Sequence, residues 1–318
     1  MSRTGLVYHP DYLKHNPGGG HPENPQRLQS IIEHLKKVSL WTQLVHIEPA
    51  MAAEELLELV HTKEHIERVR RTSQQGFGCL DMGDTLVSKL SFAVARLAVG
   101  GVLKAVDAVM EGTLDNAFAA IRPPGHHAER DHAMGFCLFN NVAIAARYLQ
   151  QNWNLKRVLI VDWDVHHGNG TQHIFEEDPT VLYFSTHQYP YYPGTGSAAE
   201  KGKGRGEGYT LNIPLAYGSD EEDYLRAFQT ELLPAALSFR PDFILISAGF
   251  DAHKDDPLAG MRLTESSYYQ FTRIIKNIAS DTCQGRIISL LEGGYNLISL
   301  SRSLESHLKA LIEDEGTR

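Results

Sequence analysis

The stretch from Arg157 to Gly170, RVLIVDWDVHHGNG, constrains this chain more than any other. Val158, Leu159, Ile160 and Val161 form a short apolar run with the composition of a strand buried on both faces. The run then switches abruptly into Asp162, Asp164, His166 and His167 and closes on the Gly168–Asn169–Gly170 turn. Alternate side chains of an extended chain point the same way. Asp162, Asp164 and His166 therefore project together from the end of one strand. Two carboxylates and an imidazole converging on a point are metal-binding chemistry, and open parallel sheets place their sites at strand ends. The competing reading is an acidic loop of solvated charges, and it leaves three such groups on one parity unexplained.

A strand buried on both faces needs helices on both sides, and the rest of the chain supplies them. Apolar segments Gly5–Tyr8, Ala117–Ile121, Thr180–Ser185, Tyr209–Ile213, Phe243–Ser247 and Arg286–Leu291 read as further strands. Between them lie helical patterns in HPENPQRLQSIIEHLKK and at Ala53–Val60, Glu64–Arg71, Ser88–Met110, Val142–Gln150, Thr171–Glu176, Glu221–Ser238, Glu265–Ile278 and Ser299–Ile312. Gly76–Thr85 reads as a loop, and Gly100–Gly101 as a place of close helix packing. Strands alternating with helices predict a parallel α/β sheet. Four of the strands run into loops rich in His, Asp, Gly or Tyr, so residues distant in sequence are expected to meet at one edge.

With 318 residues, 42% hydrophobic, and no linker or repeat, a single domain over residues 1–318 is expected. A net charge of −9 argues against general affinity for nucleic acid or anionic membrane. No run approaches a membrane span, and the start MSRTGLVYHP lacks the apolar core of a signal peptide. Cys79, Cys137 and Cys283 are odd in number and scattered, which predicts no disulfide framework and a reducing cytoplasm. Oligomeric state is not readable.

Asp251 lies four residues beyond the strand Phe243–Ser247 and completes an Asp/His/Asp set with Asp164 and His166; alone, it reads equally as a cap or turn aspartate. Three protein ligands leave a position open, as in catalytic zinc sites. Iron, cobalt or manganese also suit an oxygen-rich set. His126 and His127 follow the stiff Pro123–Pro124–Gly125 turn, with Asp162 and Asn169 available as orienting partners. Such a pair can supply a base and an acid. Tyr295, after Gly293–Gly294, is either a phenol aimed at an oxyanion or a core-edge tyrosine. Phe136, Tyr191 and Tyr192 are candidates for the walls of an apolar slot, or else core filling. Cys137 reads as packing and Lys201–Arg205 as a solvated loop.

Taken in order, RPPGHHA, GFCLFNN, VDWDVHHGNGTQ, PGTG, SAGFDAHKDDPLAG and EGGYN resemble the zinc-dependent histone deacetylase superfamily, over nearly the whole chain from HPENPQR onward. The tryptophan in DWDVHHGNG, Asn169 and HPENPQR are similar to the class II branch and its bacterial amidohydrolase relatives. The class I branch usually has aspartate at the place of Asn169. The resemblance implies an arginase-like fold, a single domain whose central eight-stranded parallel sheet is flanked by helices. It implies Zn²⁺ held by Asp164, His166 and Asp251, Tyr295 polarising the amide carbonyl, and His127, paired with Asn169, acting as general base and then acid. His126, paired with Asp162, would help electrostatically. Gly135, Phe136 and Tyr192 would line the acyl-lysine tunnel, although the second channel position is usually phenylalanine. Asp84 matches the rim region that holds substrate backbone. A potassium ion would sit on the carbonyls of Asp162, Asp164, His166 and Thr186 and the side chains of Asp162 and Ser185. Leu258 stands where polyamine-selective members place an acidic gatekeeper.

The activity so implied is hydrolysis of acetyl or other short acyl groups from acyl-lysine in a peptide or protein. Acetylpolyamine or another small acylated amine is the alternative substrate. A catalytically silent acyl-lysine binder is a third reading, weakened because no ligand, histidine or tyrosine of the set is missing.

Overall fold

Apolar strands covered on both faces need a layer of helices on each side, and the computed structural model has this arrangement. It describes residues 2–313, so the ends of the unit expected over 1–318 lie outside the described residues. In chain order the strands are β1 (Thr4–Val7), β2 (Val45–Ile47), β3 (Phe77–Cys79), β4 (Leu86–Ser88), β5 (Asn116–Ala119), β6 (Val158–Asp162), β7 (Val181–Gln188), β8 (Thr210–Leu215), β9 (Phe243–Ala248) and β10 (Ile287–Leu291). Eight of them form one sheet in the order β2-β1-β5-β10-β9-β6-β7-β8, and every pairing is parallel. The central strands β5, β6, β9 and β10 are buried at every residue.

Three parts of the chain depart from the sequence reading. The edge strand β2 was not expected, because Val45-His46-Ile47 is short and largely exposed and so carries no buried run. Within the expected loop Gly76–Thr85, β3 pairs antiparallel with β4. The expected helix Glu221–Ser238 has a π turn, Phe228–Leu232, just ahead of Pro234. Proline there lacks the N–H that a regular turn would use, and its ring crowds the preceding turn. The Gly100–Gly101 pair does mark close packing. A Cβ on Gly101 would lie 2.6 Å from both Tyr12 and Val7, and one on Gly100 would strike the backbone at Ala50.

Alternation along β6 and its exit sorts the side chains as parity demands. Trp163 turns into the core, fully buried against His307 at 5.4 Å and Phe271 at 6.1 Å between ring centres, while Asp162 and Asp164 face the opposite way. Asp162 is in register with Ser185 on β7 and Ser247 on β9.

A buried polar knot ties the N-terminal segment to the loop after β10. Glu23 accepts from both Nε and Nη2 of Arg122 and from Arg27, and the three side chains are almost wholly excluded from solvent. Arg27 donates onward to the carbonyls of Glu292 and Gly294 (2.7 Å to the latter), two residues that lead to Tyr295. Breaking a buried ion pair by removing one partner costs about 3–5 kcal/mol. Glu23→Ala is therefore expected to lower the unfolding free energy by about that much in urea titrations. A loss under about 1 kcal/mol would show that solvent or relaxation satisfies Arg122 instead.

Candidate active site

The C-terminal ends of β5, β10, β9, β6 and β7 lie side by side, and these strand ends and the loops leaving them supply the candidate residues except Asp84, which lies between β3 and β4. Asp164 and His166 follow β6, and Asp251 follows β9. Their ligand atoms all lie within 4.8 Å of one another. His166 Nδ1 is 3.1 Å from Asp164 Oδ1 and 3.2 Å from Asp251 Oδ2. Backbone amides hold the carboxylates in place: Gly293 N–H donates to Asp164 Oδ2 at 2.8 Å, and Val165 N–H to Asp251 Oδ1 at 2.9 Å. The carboxylates fill the space beside Gly249 and Gly293, where any Cβ would strike them.

These residues fit a divalent cation. Asp251 Oδ2 is buried with no hydrogen-bond donor. Burial and the adjoining Asp164 charge push the Asp251 carboxyl up to about 7. Burial works against a charged His166, yet the two carboxylates beside it raise it to about 10. The cluster is thus short of positive charge, and a metal competes with protons for the same lone pairs.

Beside it, the rings of His126 and His127 lie 4.0 Å apart. His126 Nδ1 is 3.0 Å from Asp162 Oδ2, and His127 Nδ1 is 2.7 Å from Asn169 Oδ1. Burial would lower both, but Asp162 and Asp164 outweigh it at His126 and raise it to about 10. At His127 burial wins, reinforced by His126 and His166, and its ring is held well below the ordinary value. One imidazole is poised as a cation and its neighbour as a neutral base. Asn169 is the first residue of a helix, Asn169–Phe175, that begins two residues before the expected Thr171. His167, adjacent to His166, turns away to bond Thr195 at 2.8 Å and Gln172 at 2.9 Å.

His127, His166 and Tyr295 border a cavity of about 230 Å³. Gly135, Phe136, Tyr191 and Tyr192 also line it, with Asp84, an exposed residue, and Leu258 toward its mouth. Tyr192 stands edge-on to His127 at 5.1 Å, and Phe136 edge-on to Tyr295 at 6.0 Å. Gly135 and Phe136 both have left-handed backbone, φ 57° and 68°. Glycine at 135 leaves room for the His127 ring. Phe136 N–H donates to Thr85 Oγ1 at 3.1 Å, tying this wall to the rim loop. Arg27 lies 4.9 Å from the centre of the Tyr295 ring, and Asp256 accepts the Tyr295 N–H at 2.7 Å. Burial drives the phenol well above its ordinary value, so it stays a donor.

Ser185 and Thr186 are buried next to Asp162. Ser185 Oγ meets His187 Nδ1 at 2.9 Å, and Thr186 Oγ1 has no partner. Sequence reasoning missed Glu292, whose carboxylate receives Gly125 N–H at 2.7 Å, His126 N–H at 3.2 Å and Ser247 Oγ at 3.0 Å. Its signal was available: like Asp162, it is an acid directly after a buried strand. Asp256, Arg27 and Glu129 were missed as well, and Glu129 showed no such signal.

A parallel α/β sheet with an Asp/His/Asp set and a paired-histidine, tyrosine-bearing cavity at one edge defines a metal-dependent hydrolase. The chain belongs to the histone deacetylase family and is a hydrolase of the deacetylase kind: the family model described as "Histone deacetylase domain" matches residues 21–311. The family uses zinc. The chain is 43% identical over 297 residues to a "Probable deacetylase" of Archaeoglobus fulgidus, covering 92% of this chain and 82% of that one. It is 39% identical to human "Polyamine deacetylase HDAC10", covering 98% of this chain and 48% of that one. Among solved structures, "Crystal Structure of HDA15 HD domain" matches with a TM-score of 0.93 and 42% identity, over 98% of this chain and 89% of that chain. The chain thus spans about half the length of the human relative. Among the described residues, no helix is long and apolar enough to cross a membrane.

Proposed function

We propose that this chain removes acetyl or another short acyl group from the side-chain amine of lysine in a peptide or protein. The observation that carries the reading is the cavity of about 230 Å³: it is walled by Phe136, Tyr191 and Tyr192, ends on His127, His166 and Tyr295, and carries Leu258, not an acid, at the gatekeeper position, with Asp84 as the acid on its rim. A slot with aromatic walls and polar groups gathered at its inner end suits an alkyl chain bearing a terminal amide.

Asp164, His166 and Asp251 would hold the zinc, which supplies Lewis acidity at the carbonyl and makes water a better nucleophile at neutral pH. His127 Nε2 takes the proton of the attacking water and returns it to the leaving amine, so acetate and free amine depart. His126, kept cationic by Asp162, favours the negative charge that develops. The Tyr295 hydroxyl donates to the carbonyl oxygen as it becomes an oxyanion. Asp84 at the rim would accept substrate backbone N–H groups. The carbonyls of Asp162, Asp164, His166 and Thr186, with the side chains of Asp162 and Ser185, would hold a potassium ion. The unpartnered Thr186 Oγ1 supports a polar guest near there. Three free thiols support a reducing, cytoplasmic setting.

The second reading is an acetylpolyamine or other small acylated amine as substrate, favoured by the 39% identity to the human polyamine deacetylase. Steady-state turnover of the zinc-loaded protein on an acetyl-lysine peptide and on N-acetylputrescine decides between them. A higher kcat/KM on the peptide is expected, and preference for the diamine would overturn the lysine reading. Leu258→Glu is expected to move the ratio of the two kcat/KM values about tenfold or more toward the diamine, the worth of one charge-assisted hydrogen bond.

A further inference from the structure

Behind the paired histidines runs a chain of hydrogen bonds that the reaction as described does not use. Asn169 presents Oδ1 to His127 Nδ1 at 2.7 Å and Nδ2 to Glu129 Oε1 at 2.6 Å. The same Glu129 oxygen meets His173 Nδ1 at 2.7 Å. Asn169 is nine-tenths or more buried, Glu129 nearly as much, and His173 reaches partial exposure. Glu129 is itself held by its backbone: its N–H donates to His132 O at 2.9 Å, and its carbonyl accepts from His61 Nδ1 at 2.8 Å.

An asparagine amide has two faces of similar shape and opposite polarity, and a neutral imidazole can donate or accept through Nδ1. The His127–Asn169 contact alone therefore permits two arrangements. In one, His127 Nδ1 carries the proton and Nε2 keeps its lone pair. In the other, Asn169 Nδ2 donates to Nδ1 and the proton sits on Nε2, where it blocks base catalysis. A carboxylate only accepts. With Glu129 Oε1 against Asn169, the flipped amide would set carbonyl oxygen against carboxylate oxygen at hydrogen-bond distance. Met134 Sδ, 3.2 Å from Nδ2, is likewise an acceptor.

We infer that Glu129 is a positioning residue that locks the Asn169 amide with Oδ1 toward His127, so that the ring proton stays on Nδ1 and Nε2 faces the cavity as the free base. The inference rests on the reading of His127 as the base. His173, on the far side of Glu129, supplies a second donor that keeps the carboxylate turned toward Asn169.

The test uses the zinc-loaded protein labelled with nitrogen-15 histidine, the His127 signals being assigned by comparison with His127→Ala. Ring nitrogen shifts report which nitrogen bears the proton. Nδ1–H is expected in the native protein and in Glu129→Gln, which keeps an acceptor in place. In Glu129→Leu a mixture or an Nε2–H ring is expected, with kcat about 10- to 100-fold lower and KM within about twofold. An unchanged His127 tautomer in Glu129→Leu would overturn the inference. Glu129→Ser, too short to reach Asn169, serves where leucine is not tolerated. In an Asn169→Asp background two carboxylates face each other, so Glu129→Leu is expected to raise kcat there; an equal loss in both backgrounds would also overturn it. Retained turnover in His127→Ala would instead sink the proposed base and leave the tautomer result standing, so the two failures are distinguishable.

Discussion

Asp251→Asn is expected to empty the metal site while leaving the fold intact, and to lower kcat/KM by about 10³-fold or more. The substitution keeps an oxygen where Asp251 Oδ1 accepts from Val165 N–H at 2.9 Å, so the loop after β9 retains its anchor. It replaces Oδ2, the buried oxygen without a donor, by an amide nitrogen that has no lone pair to give. Only Asp164 and His166 then remain as ligands. Metal polarisation of a carbonyl is worth several kcal/mol of transition-state stabilisation, and each 1.4 kcal/mol is about tenfold in rate. Metal analysis alongside steady-state kinetics checks both halves. A variant that retains stoichiometric zinc and near-native turnover would remove Asp251 from the ligand set. The metal-free variant is expected to be no less stable than the metal-free native protein, because it relieves the repulsion that pushes the Asp251 carboxyl up to about 7. That comparison separates loss of metal from loss of fold.

Tyr295→Phe is expected to lower kcat by about 10²–10³-fold, the usual worth of one oxyanion donor, with substrate affinity little changed. The ring itself should stay where it is: Arg27 stacks over it at 4.9 Å, Phe136 meets it edge-on, and Asp256 holds the backbone amide. The substitution then subtracts a hydroxyl and little else. Loss of turnover with retained binding of an acyl-lysine peptide places the phenol in the transition state. Native-like kcat would remove it from the reaction, and absence of turnover in the native protein as well would favour the silent binder over the enzyme.

Much of this site is legible in the linear chain because its donors follow local rules. Asp162, Asp164 and His166 share a parity, and that parity alone turns Trp163 into the core and the two aspartates toward the cavity. The strand ends are marked by abrupt changes from apolar to His, Asp or Gly, so β5, β6, β9 and β10 and the loops that leave them could be named in advance. The edge strand β2 was not legible. A strand at a sheet edge buries little, and three half-exposed residues carry no periodicity to read. The π turn ahead of Pro234 was missed because apolar periodicity runs straight through it.

The residues that hold the site from behind were hidden for a different reason. Glu23 and Arg27 share one segment but Arg122 lies far along the chain, and a charged residue in a sequence is read as surface until its partner is known. Glu129 stands two places beyond His127 with nothing local to distinguish it from a solvated acid. Its role emerges only when the helix Asn169–Phe175 brings Asn169 against it. Alternation and strand-end composition are short-range properties, so the sequence alone specified the sheet and the metal and histidine groups along its edge. Which oxygen faces which nitrogen, and which buried charge neutralises which, depends on contacts across 40 to more than 260 residues of chain, and the packed fold alone sets these.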